Sequence, residues 1–63
     1  MNTNYMCQAK KGQTLVIPKG AKIKLAFYRT PTRRHDSWIR TTDVLTKDYQ
    51  FDHDAYFTVI NVQ

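Results

Sequence analysis

Across residues 22–30 the side chains alternate one by one. Ile23, Leu25 and Phe27 fall on one side, and Lys22, Lys24, Ala26 and Tyr28 fall on the other. Successive side chains of a strand point to opposite faces. The pattern predicts a strand with its apolar face on a core and its second face toward water or a ligand. Arg29 falls on the apolar side, but at the strand end, where it reaches solvent.

The same period recurs along the chain. Residues 5–10 read as a short edge strand, and residues 14–17 as a β-branched run ended by Pro18. Lys11-Gly12 and Pro18-Lys19-Gly20 read as turns, because glycine takes a positive φ without strain. Residues 31–37 (Pro-Thr-Arg-Arg-His-Asp-Ser) form a polar stretch suited to an exposed hairpin tip or long loop. Residues 38–46 fit a strand. They also fit a short helix near 42–49 capped by Thr42, but their β-branched content favours the strand. Residues 49–51 suit a short strand and Asp52-His53-Asp54 a turn. Residues 55–62 carry bulk on both faces, as a central strand does.

Five or six short strands predict a mostly-β fold: a small bent sheet or an SH3-like barrel. OB-like architecture also fits, although 63 residues suit the SH3-like size better. The alternative is an α+β fold with one short helix near 42–49.

A chain of 63 residues holds one small domain. Such a domain buries only about 60% of the surface that its unfolded chain exposes, which leaves a stability of roughly 3–5 kcal/mol. Cys7 is the only cysteine, so no intrachain disulfide adds to that margin. A lone thiol fits a reducing compartment such as the cytoplasm. Residues 1–8 lack the apolar core of a signal peptide. The longest apolar-rich stretch, residues 55–62, is interrupted by Thr58 and Asn61 and is too short to cross a bilayer. The expectation is a soluble chain with no membrane partner.

Charge is distributed unevenly. Ten lysines and arginines face five acids, for a net charge of +5. Residues 10–40 hold nine of the ten bases and only one acid, Asp36. Residues 41–63 hold Lys47 against Asp43, Asp48, Asp52 and Asp54. Every acid is Asp, whose short side chain suits turns by bonding nearby backbone amides. The basic segment reads either as a footprint for a polyanion or as a solvated surface balanced by the acidic segment.

The sequence offers little for catalysis. Gly12 and Gly20 stand apart, so there is no glycine-rich phosphate loop. There is no cysteine pair for zinc and no nucleophile motif. His35-Asp36 and Asp52-His53-Asp54 are the acid/base clusters, but sequence neighbours in strands and turns point different ways. A hydrophilic turn explains the second cluster without chemistry. A metal there would need Cys7 or His35 from elsewhere. The expectation is a non-enzymatic protein without cofactor or metal.

Binding is better supplied. Lys22, Lys24 and Tyr28 on one strand face combine cations for phosphates with an aromatic face for unstacked bases. Arg33 and Arg34 extend the cationic track, and guanidinium groups bind phosphate bidentately or stack on bases. Trp38 offers a second platform, although a lone tryptophan in a small domain more often packs inside. The leading expectation is therefore nucleic-acid binding, DNA or RNA. Lys19, Lys22, Lys24, Arg33, Arg34 and Arg40 would meet phosphates, and Tyr28 and Trp38 would stack on bases.

The alternative is a small regulator or inhibitor that binds and modulates a larger protein, of the kind viruses and mobile elements encode. Tyr5, Tyr28, Tyr49, Tyr56, Arg33, Arg34 and Trp38 are of the types enriched at binding hot spots. Their partner would present an acidic protein surface. A second copy of the chain is a further candidate, since it would bury area that so small a core cannot.

Overall fold

The computed structural model describes residues 5–62. Residues 1–4 and 63 lie outside the described residues, and with them half of the polar N-terminal segment. Among the described residues there are six strands: β1 (Cys7–Ala9), β2 (Thr14–Leu15), β3 (Ile23–Tyr28), β4 (Trp38–Thr41), β5 (Tyr49–Gln50) and β6 (Ala55–Asn61). They form a four-stranded antiparallel sheet, in the order β1-β6-β3-β4, and a two-stranded ribbon, β2-β5. The sheets do not join into a closed barrel. The fold is small and mostly β, as the alternation predicts, and its open form is nearer the bent sheet than the barrel. The expected alternative of a helix near 42–49 is not formed. The helical element among the described residues is a single 3-10 turn, His35–Ser37.

The core forms on the face that the alternation assigns to it. Leu25 lies opposite Val59, and Phe27 opposite Phe57, across the central pair β3–β6. Directly opposed residues share a face, so these side chains pack as pairs. Ala9, Ile17, Ile23 and Phe51 complete the buried cluster. Leu15 and Tyr49, paired in the ribbon, pack against it. Phe51 meets Phe57 with ring centroids 5.1 Å apart, and Tyr49 edge-on at 5.0 Å. Each fully buried side chain of this size contributes about 1.5–3 kcal/mol.

Turns and carboxylates close this core. Gln13 N–H donates to the Lys10 carbonyl around Gly12, whose φ is +89°. Ala21 N–H donates to the Pro18 carbonyl around Gly20, whose φ is +87°. In both turns the third position needs the positive φ that glycine permits. Asp48 Oδ1 accepts the Ile17 N–H at 3.0 Å, and Asp54 Oδ1 accepts the Lys11 N–H at 2.8 Å. Asp48 and Asp54 thus bond backbone amides across the fold, and not only within their own turns.

The expected strand over residues 38–46 ends at Thr41. Phe27 opposes Arg40, but Tyr28 opposes Trp38, so Ile39 is an extra residue. Farther along, Thr42 N–H donates to the Leu25 carbonyl, and Leu25 N–H donates to the Thr42 hydroxyl rather than to a carbonyl. Pairing resumes at Leu45, which exchanges both backbone bonds with Ile23. One more residue is thereby looped out. Such bulges bend an edge strand and blunt it against further pairing. They also leave Ile39 and Val44 exposed.

Candidate nucleic-acid interface

The cross-strand register turns the second face of the sheet into rows. Gln8 opposes Tyr56, Tyr56 opposes Tyr28, and Tyr28 opposes Trp38. One line across all four strands thus carries an amide and three aromatic side chains. The next row holds Thr58, Ala26 and Thr41, and beyond it Ile60 opposes Lys24. Rows on one face are separated by two residues, about 7 Å, and neighbouring strands by about 4.8 Å. None of these residues belongs to the core cluster. Ala26 and Thr58 are nevertheless only 3% and 4% exposed, because short side chains sit low between larger rows. Trp38 is 48% exposed, which assigns it to the surface and not to the core.

The β3–β4 connection brings arginines to one end of the aromatic row. Ser37 organises it from within. This buried hydroxyl lies 2.8 Å from the carbonyl oxygens of both Thr32 and Arg34, to which it donates. Ser37 N–H also donates to Arg34, and Arg29 N–H closes the loop onto the Ser37 carbonyl at 2.7 Å. The exposed Arg33, Arg34 and His35 then surround Tyr28 and Trp38, lining a shallow depression of about 500 Å3. Arg34 Nε stands 3.9 Å from the Asp36 carboxylate, and both side chains are largely in solvent. Such a pair restrains the guanidinium only weakly.

The expected site residues divide into those that gather and those that do not. Lys24, Tyr28, Arg33, Arg34 and Trp38 converge on the outer face and its loop. Lys22 precedes β3 and continues its alternation opposite Val62, whose N–H donates to the Lys22 carbonyl. Lys19 sits in the Pro18–Ala21 turn, off the sheet. Arg40 belongs to the other face: it opposes Phe27, and its guanidinium carbon lies 4.6 Å from that ring's centre. The expectation that Arg40 joins the same cationic track as Lys24 is therefore corrected. A cation over an aromatic face is a packing contact in its own right.

Two contributors are not among the residues expected at a nucleic-acid site, although Tyr56 is among the hot-spot types named for a protein partner. Tyr56 has the right phase in its strand, but only the Tyr28–Tyr56 register brings it into the row. Ser37 stands in a polar stretch, where a buried hydroxyl leaves no sequence signal.

Elsewhere, His53 Nδ1 hydrogen-bonds the Asp52 carboxylate. That bond, aided by the histidine's charge, holds the Asp52 carboxyl below its ordinary value. Both side chains are exposed, so the pair is a surface feature. No group of three or more His, Cys, Asp or Glu side chains suited to a metal occurs among the described residues. No helix among them is long and apolar enough to cross a membrane.

Comparison with protein-family models, with curated proteins and with solved structures finds no match for this chain.

Proposed function

We propose that this chain binds single-stranded nucleic acid across the outer face of its four-stranded sheet. The observation that carries the reading is the row Tyr56, Tyr28, Trp38, which sets aromatic groups on three adjacent strands. An extended strand crossing the sheet meets these groups in succession. Exposed bases stack on them without regard to sequence, each contact worth about 1–3 kcal/mol. Arg33 and Arg34 at the Trp38 end, and Lys24 two rows away along β3, supply cations for the phosphates. A duplex hides the faces of its bases within its own stack, so this surface favours unpaired strands.

The only tryptophan reports on the site directly. Titrating a short oligothymidine should quench Trp38 fluorescence as a base stacks on the ring. Binding seen by another probe with Trp38 emission unchanged would remove Trp38 from the site.

A second reading is a regulator that docks on a larger protein. Ile39 and Val44, both left exposed by the bulges next to β3, favour it. It predicts a partner that survives nuclease treatment and is lost when Ile39 and Val44 are made polar.

A further inference from the structure

Two depressions flank Tyr28, and they differ in chemistry. The one at the Trp38 end is walled by Arg33, Arg34 and His35. The other, of about 270 Å3, runs along the end of the sheet, where Gln8, Arg29 and Asp54 join Tyr28, Ile39 and Tyr56 in lining it, with Phe27 and His53 entering from the core side. A carboxylate in the wall of a cavity repels phosphate and seeks N–H donors. Asp54 is also tethered, because its Oδ1 accepts the Lys11 N–H at 2.8 Å. Arg29 is anchored through its backbone N–H to the Ser37 carbonyl. The cavity therefore combines apolar walls, a fixed acceptor and a cationic donor.

We infer that this cavity takes one unpaired guanine and makes binding base-selective. The inference rests on the nucleic-acid reading above. Guanine presents two adjacent N–H donors, N1 and N2, on its pairing edge, and these match a carboxylate. It presents O6 and N7 as paired acceptors on another edge, and these match a guanidinium. Uracil and thymine offer one N–H between two carbonyls, which Asp54 repels. Adenine and cytosine each offer one amino group and lack the adjacent ring N–H that completes the carboxylate's match. The rings of Tyr28 and Tyr56 and the side chain of Ile39 would hold the base plane, and the Gln8 amide, both donor and acceptor, adapts to the remaining edge.

The test compares fluorescein-labelled oligothymidines with the same length carrying one central guanine, adenine or cytosine. A bidentate base contact discriminates by about 1–3 kcal/mol, so the guanine probe should bind about 5- to 160-fold more tightly than the others. Asp54→Asn keeps an oxygen for the Lys11 N–H but replaces the second acceptor by a donor. It should bring the ratio of guanine to thymine affinity near unity, and Arg29→Gln should lower the same ratio. Circular dichroism melting of both variants establishes that they fold. Equal affinity for all four probes would overturn the guanine pocket and leave single-strand binding standing. A guanine preference that persists in folded Asp54→Asn would overturn the assignment to this cavity. No binding of any probe would overturn both this inference and the reading beneath it.

Discussion

Tyr28 and Tyr56 stand directly opposite each other on β3 and β6, the two central strands of the sheet. Their neighbours along each strand, Phe27 and Phe57, form the same kind of pair on the buried side. One register thus builds core and candidate site together. Replacing Tyr28 or Tyr56 by Ala should weaken single-strand binding by about 1–3 kcal/mol each, while Phe at either position should retain most of it. Fluorescence anisotropy with an oligothymidine checks both. Unchanged affinity in Tyr28→Ala would remove that ring from the site.

Charge changes should separate the outer face from the rest. Each phosphate contact on a single strand contributes about −0.7 to the slope of log affinity against log salt. Arg33→Ala and Arg34→Ala should each flatten the slope by about that amount. Arg40→Ala should leave the slope alone and instead cost roughly 0.5–1 kcal/mol of stability, the worth of its contact with Phe27.

Much of this was legible in the sequence. The alternation in residues 22–30 assigned Ile23, Leu25 and Phe27 to the core and Lys24 and Tyr28 to the other face, because a strand's side-chain period is fixed by backbone geometry. The glycine turns were legible for the same local reason. Partners were not legible. Register depends on which residues of distant strands meet, and bulges shift it by one. Arg40 shares the basic segment with Lys24, yet the extra residue Ile39 places it over Phe27. Tyr56 lies far from Tyr28 in the chain, and nothing local announces that they face each other.

Ser37 tests how the arginine loop is held. Its hydroxyl is buried and serves two carbonyls. Ser37→Ala should cost about 1–2 kcal/mol in urea unfolding, since the acceptors lose a buried donor. It should also weaken oligonucleotide binding by loosening Arg33 and Arg34. Full stability with full affinity would show that the loop needs no such tie.

Thr42→Val asks whether the hydroxyl bond to Leu25 matters to the sheet. Valine keeps the shape and removes the acceptor, leaving the Leu25 N–H unpaired at a cost of about 1–3 kcal/mol. Chemical denaturation measures this directly. Hydrogen exchange at Leu25 should quicken in the variant beyond the change in global stability.

The Asp52–His53 pair gives the sign of one acid effect. The folded carboxyl binds its proton less readily than the unfolded one, because His53 stabilises the carboxylate. Its contribution to stability is present above the ordinary aspartate range and is lost as pH falls through the lower, folded value. Asp52→Asn should therefore lower the neutral plateau of a stability–pH curve and shrink its acid limb by the same amount, a small one because both groups are exposed. An unchanged acid limb would mean that the pair contributes nothing.

The central claim is tested most directly by anisotropy with labelled single-stranded and duplex oligonucleotides at about 50 and 200 mM salt, the range in which phosphate contacts declare themselves. Binding to the single strand should be micromolar or tighter, binding to the duplex weaker, and the log–log salt slope about −3 for roughly four phosphate contacts. Absence of binding at the lower salt, or equal affinity for the duplex, would contradict that claim.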